Sequence, residues 1–237
     1  MTGKDAKSSR DKVLDHFVAR AASVMEDPRR VEAANKSIMK TLLRHIGSDM
    51  PGGDFSGLPA PTQQEEKEIA VLRSFLALQS ILDSFQQCEF YFRRYPFSDF
   101  PVSRTEHLRN ICEMYFDRIY QFKERLKITL NMLKDLRQVK SDERYGSLIK
   151  AFEKALAWEL RQRNATHHTR RFEYDAIDQL GLIDLLQHSE MAKVLPKQSG
   201  IYRQEANRWV KRVRSRVPPL ESVIELTGQY VLEYKFE

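Results

Sequence analysis

Residues 105–139 read TEHLRNICEMYFDRIYQFKERLKITLNMLKDLRQV. Leu108, Ile111, Cys112, Tyr115, Ile119, Phe122, Leu126, Leu130, Leu133 and Leu136 recur there in steps of three and four. At about 3.6 residues per turn this is one apolar stripe roughly eight turns long. A half-buried strand would alternate every second residue, and this stretch does not. The spacing therefore predicts a long amphipathic helix. Such a helix is stable in water only when other elements cover its stripe.

Covering helices are readable on both sides. Upstream, residues 64–94 carry Ile69, Leu72, Phe75, Leu76, Leu82, Phe85 and Phe92 at helical spacing. Pro96 and Pro101 then punctuate YPFSDFPVSR, and Thr105 is a candidate cap for the long helix. Downstream, Ser141 opens a helix to about Arg163, with Tyr145, Leu148, Phe152, Leu156 and Leu160 inward. Residues 174–187 are helical again, interrupted at Gly181. Residues 201–217 form a basic helix that Pro218 and Pro219 end. The tail QYVLEYKFE alternates Tyr230, Leu232, Tyr234 and Phe236 with more polar residues, as an edge strand or the end of a helix would.

The N-terminal part reads as a helical hairpin. Its first arm is 11–26, with Val13, Leu14, Phe17 and Val18 in its stripe, and its second runs from Asp27-Pro28 to Ile46. GSDMPGGDFSGLPAPTQQ, residues 47–64, breaks any regular pattern. The expected fold is all-α, a bundle of long antiparallel helices. It divides into an N-terminal hairpin (1–50), a loop or linker (51–64), a helical bundle (65–190), and a basic C-terminal helix with its tail (191–237).

Composition narrows the function classes. The chain has 237 residues, 41% of them hydrophobic and 30% charged, with nine Gly and nine Pro. This excludes a disordered chain and disfavours a sandwich or barrel. Two cysteines, Cys88 and Cys112, can build neither a disulfide scaffold nor, alone, a four-ligand zinc site. MTGKDAKSSRDK has no apolar signal core, and no stretch approaches the ~18 apolar residues of a membrane span. A cytoplasmic protein without membrane contact is expected. Lys and Arg number 39 against 33 Asp and Glu, a formal charge of +6 that suits a polyanionic partner such as RNA.

The common catalytic signatures are missing: no phosphate-cradling glycine loop, no G-x-S-x-G, no H-E-x-x-H and no EF-hand loop. No metal and no cofactor is expected. Of six histidines only His167 and His168 adjoin, within ELRQRNATHHTRRFEY, residues 159–174. Continuing the preceding helix at about 100° per residue puts Arg163 and His167 one turn apart, near the Leu160 direction. An apolar face thus becomes Arg and His. A neutral imidazole, with an ordinary pKa of ~6.5, can take a proton from a 2′-hydroxyl. An arginine can hold the phosphate and stabilise transition-state charge. Arg161, Arg170 and Arg171 add local positive charge. The same groups at a helix C-terminus also complement the helix dipole.

Arg163-Asn164-Ala165-Thr166-His167-His168 resembles the motif of the HEPN superfamily, an arginine followed after four to six residues by a histidine. The preferred register is Arg163 to His168, because Asn164 then occupies the family's polar position. It requires the helix to bend or end between them; in a straight helix His167 is the better candidate. The resemblance covers roughly residues 65–190. It implies a helical bundle with metal-independent endoribonuclease activity. Arg163 would bind phosphate, His168 or His167 would be the acid or base, and Asn164 would position them. It further implies a homodimer sharing one composite site, and a toxin or antiphage setting in which a regulatory or antitoxin protein could bind. Other members of the superfamily are non-catalytic interaction modules, which is the alternative function.

Two further features stand outside the motif. Glu113 and Asp117, one turn apart, could orient an active-site His or Arg, or form a solvated face. In residues 201–217, Arg203, Arg208, Lys211, Arg212, Arg214 and Arg216 face a single Glu205. Arg208, Lys211 and Arg212 are the candidate RNA contacts there, with Tyr202 and Trp209 available to stack on bases. The aromatic run from Phe85 to Phe100 reads as core or, where exposed, as a dimer surface.

Overall fold

A computed structural model describes residues 8, 11–13, 15, 63–95, 102–139, 142–168, 171–186 and 196–234. Every regular element among these residues is an α-helix. In chain order they are α1 (Gln63–Arg93), α2 (Arg104–Leu136), α3 (Glu143–Ala155), α4 (Ala157–His168), α5 (Asp175–Leu186) and α6 (Gln198–Leu232). No helix among the described residues is long and apolar enough to cross a membrane.

Helix α2 is the axis of the bundle. All ten residues of the apolar stripe from Leu108 to Leu136 are buried. Covering side chains of that size contributes about 1.5–3 kcal/mol each. The cap of α2 is Ser103, two residues ahead of the expected Thr105: its hydroxyl accepts from the Glu106 N–H at 3.1 Å. Thr105 is buried instead, its methyl 3.4 Å from where a Cβ on Gly181 would stand. The expected interruption at Gly181 is absent: α5 runs through it from Asp175 to Leu186.

Paired contacts give the helix directions. Ser74 meets Thr129 at 2.8 Å and Phe85 packs on Tyr115, so α1 and α2 are antiparallel. Gln64 and Glu68 meet Tyr234, Glu89 meets Arg214 and Phe92 stacks on Trp209, so α1 and α6 are antiparallel too. It follows that α2 and α6 run parallel, and they also touch each other where Trp209 meets Tyr115 and Phe116. The short helices close the remaining side: α3 packs on α2 and α6, α4 on α2, and α5 on α2 and α6.

Two expectations about helix ends are corrected. Residues 141–163 do not form one helix: Leu156, at φ −117° and ψ 24°, separates α3 from α4. Pro218 and Pro219 do not end the basic helix. α6 continues through them to Leu232, which makes the tail up to that residue helical rather than a strand. Leu220, Val223 and Ile224, beyond the prolines, are buried. Their packing outweighs the two backbone hydrogen bonds that proline removes.

Most of the expected N-terminal hairpin lies outside the described residues. Residues 11–13 and 15 are helical, Ser8 caps them by accepting from the Asp11 N–H, and Val13 is buried in the shared core. The second arm and residues 51–62 of the linker lie outside. Cys88 and Cys112 are free and buried. Burial lifts the Cys88 thiol to about 11, and lifts Cys112 well above its ordinary value.

Candidate functional site

The break at Leu156 reorients the chain so that the first turn of α4 faces the core. Leu156 and Leu160 are buried, and Glu159 between them is fully buried. One carboxylate oxygen of Glu159 accepts from three donors: Tyr115 Oη at 3.3 Å, Arg212 Nε at 3.1 Å and Arg216 Nε at 2.9 Å. Its other oxygen has no partner among the described residues. The Arg212 guanidinium also lies over Trp158, its carbon 3.6 Å from the ring centre. Burial, reinforced by the charge of Glu159, pushes the Tyr115 hydroxyl far up, so it remains a donor. Burial pulls Arg216 down, but its bond and ion pair with Glu159 lift it above the ordinary arginine value. Arg216 stays charged.

One turn further along α4 stands Arg163. Its guanidinium lies 3.7 Å from the centre of the Tyr120 ring, and its Nε is 3.5 Å from Asp117 Oδ1. The side chain is only 13% exposed. Thr166 turns back to donate to the carbonyls of Gln162 and Arg163 at 2.8 and 3.0 Å. Arg161 and Asn164 are exposed, and Arg161 has no ion pair among the described residues.

α4 is unbroken from Ala157 to His168. The bend that an Arg163–His168 pairing requires is therefore absent. On a continuous helix His167 lies one turn from Arg163, whereas His168 is displaced about 140° around the axis. The side chains of both histidines, and all of Arg170, lie outside the described residues.

The remaining candidates separate. Arg171 is tied to α2, with Nη2 2.7 Å from Glu106 and 2.9 Å from Asn110. Glu113 accepts from the Phe172 N–H at 3.1 Å and so anchors the turn into α5. Of the two candidate orienting carboxylates, Asp117 reaches Arg163 and Glu113 does not. Arg208 pairs with Glu205 at 2.5 Å, while Lys211 is exposed without an ion pair among the described residues. Glu205 is 3% exposed, and burial raises its carboxyl against the opposing pull of Arg208. Tyr202 and Trp209 are buried, so neither is available to stack on a base.

No family model, curated protein or solved structure matches this chain.

The residues that sequence reasoning missed are Glu159, Trp158 and Tyr120. Glu159 was detectable in principle, as a carboxylate inside the Leu156–Leu160 stripe. What it binds was not, because its partners come from helices 44 to 57 residues away. Chemically, the arrangement offers a guanidinium packed on an aromatic ring and ion-paired to a carboxylate, without a hydrogen bond at Nε among the described residues, one turn from a histidine position. Beside it lie two guanidiniums fixed on a buried carboxylate.

Proposed function

We propose that the protein cleaves RNA without a metal, at a HEPN-type site on the last turns of α4. The observation that carries this reading is Arg163 held by Tyr120 and Asp117 one turn before His167. A fixed guanidinium can stabilise a phosphorane without reorganising as charge develops. In the proposed step the neutral imidazole of His167 takes the 2′-hydroxyl proton. The 2′-oxygen then bonds to the adjacent phosphorus and the bond to the 5′-oxygen breaks. The products are a 2′,3′-cyclic phosphate and a 5′-hydroxyl end, the leaving oxygen receiving a proton from a general acid. Arg163 stabilises the negative charge of the phosphorane between these events. His168 is the substitute base, and Asn164, exposed beside Arg163, positions the phosphate. Two copies pairing around their α4 ends would supply the second imidazole as the acid. The setting on this reading is toxin-like or antiphage defence.

A second reading is favoured by a different feature of the same residue. Arg163 is 13% exposed and already neutralised by Asp117. A non-catalytic helical module, binding a protein or nucleic acid through α6, would use Arg163 only as a strut.

Cleavage of single-stranded RNA in EDTA separates the two. Arg163→Ala and His167→Ala should each lower the rate by about a hundredfold or more, with helical content retained. His168→Ala should lower it less. Cleavage that survives both of the first two substitutions would remove the nuclease reading. So would an inactive parent that is folded, dimeric and binds RNA.

A further inference from the structure

Arg208, Arg212 and Arg216 occupy positions i, i+4 and i+8 of α6. They form one row along its edge, with neighbours ~6 Å apart along the axis and the ends ~12 Å apart. Each arginine is held from beneath by a buried carboxylate. Glu205, 3% exposed, takes Arg208; Glu159, fully buried, takes the Nε of both Arg212 and Arg216. The guanidiniums are nevertheless reachable: their side chains are 58%, 32% and 29% exposed. No other carboxylate pairs with any of the three among the described residues. Three cations over two carboxylates leave a surplus positive charge. Lys211 and Arg203, exposed on the same helix, add to it.

This differs from an ordinary basic surface. Free arginines lose rotamer freedom when they grip a ligand, and these have lost much of it already. Arg208 meets its anchor through Nη1, Arg212 through Nε and Nη2, and Arg216 through Nε, which leaves further N–H groups on each guanidinium that can donate to a phosphate. The row also has a direction, because Glu159 sits one turn before Arg163 on α4.

We propose that Arg208, Arg212 and Arg216 are an anchored ladder that grips successive phosphates of single-stranded RNA. The choice of RNA rests on the nuclease reading above, since the row leads toward the end of α4. The even, straight spacing suits an extended strand rather than a folded acidic peptide.

The test is binding of a labelled 2′-O-methyl RNA oligonucleotide, followed by fluorescence anisotropy over a range of NaCl. This probe has no free 2′-hydroxyl and cannot be cleaved by the proposed route, so binding is read apart from catalysis. Three contacts predict a log–log salt slope of about −2. Arg216→Gln should weaken binding about tenfold and make the slope shallower by about 0.7. Arg73→Gln, an exposed arginine on α1, should change neither.

The anchors give the sharper arm. Glu205→Gln raises the net positive charge, so a surface acting by charge alone would bind more tightly. The ladder predicts weaker binding by about threefold to tenfold, because Arg208 loses its anchor. Glu159→Gln should do the same at Arg212 and Arg216, with melting curves confirming the fold. Unchanged or tighter binding in both anchor variants would overturn the ladder. Competition by polyglutamate as effective as by RNA would assign the row to acidic proteins instead and overturn the choice of RNA. A parent that binds the oligonucleotide with these dependences yet never cleaves RNA would keep the ladder and remove the nuclease.

Discussion

Glu205 shows how one residue can couple stability to pH in this fold. Burial raises its carboxyl above the ordinary range, so the folded protein holds that proton more tightly than the unfolded chain. Its contribution to stability is therefore complete below the ordinary glutamate pKa of ~4.3 and is lost as pH rises through the folded value. Gln cannot ionise and avoids the loss. Glu205→Gln should raise the melting temperature at pH 7 and change it little near pH 3, as thermal unfolding monitored by circular dichroism will read. Arg208 is 58% exposed, so losing its partner costs little in stability. A raised temperature at both pH values alike would mean that repacking, not ionisation, is responsible. Legibility in the sequence also divides at this scale. Leu108 or Phe122 could be placed in the core from spacing alone. For Glu159 spacing gave at most the position and not what it binds, and for Glu205 neither, because a charge is buried only where distant partners meet it, and those partners do not appear in local periodicity. Arg163 was legible as a candidate, while its place on Tyr120 and Asp117 was not.

At the scale of the elements, the signals that stop a helix misled most. Pro218 and Pro219 carry the strongest local stop signal in the chain, yet α6 runs through them. Burial of Val213 before them and Leu220 after them holds the helix together. The helix therefore bears a local penalty that its packing offsets. Pro218 is exposed, so replacing it sacrifices little contact. Pro218→Ala should stabilise the protein by about 1–3 kcal/mol, read as an increased urea midpoint at constant slope. The end of α2 holds a smaller penalty. Gln138 has φ +55°, the left-handed conformation, while Val139 N–H donates to Lys134 C=O at 3.2 Å. That is the position where glycine is favoured after a helix. Gln138 is exposed, and Gln138→Gly should stabilise by about 0.5–1 kcal/mol in the same assay. The break at Leu156 has no such signature. ALAW contains neither Gly nor Pro, and the break follows from two helices needing different faces on α2.

At the scale of the whole molecule, the bundle converges on Trp209. Its ring stacks on Phe92 of α1 at 5.6 Å and meets Tyr115 and Phe116 of α2 edge-on at 5.6 and 5.8 Å. It also meets Trp158 of α4, and Phe172 and Tyr174 at the entry to α5. One side chain thus joins the long antiparallel frame to the elements that carry the candidate site. The chain has two tryptophans, and Trp158 lies in the same cluster. Fluorescence therefore reports this junction, whereas far-ultraviolet circular dichroism reports the helices everywhere. If the junction holds the fold as one unit, the two signals must lose structure at the same denaturant concentration. Trp209→Ala should lower stability by about 3–5 kcal/mol, the cost of emptying a large buried site. Trp209→Phe should lower it less, since part of the aromatic contact survives. Because the site is built on the far side of this junction, Trp209→Ala should also loosen Arg212 and Arg216, which approach Glu159 from the same helix. Coincident transitions in the parent and a large loss in Trp209→Ala would establish one cooperative unit. A fluorescence transition that precedes the helical one would instead show that the site-bearing face unfolds before the α1–α2–α6 frame.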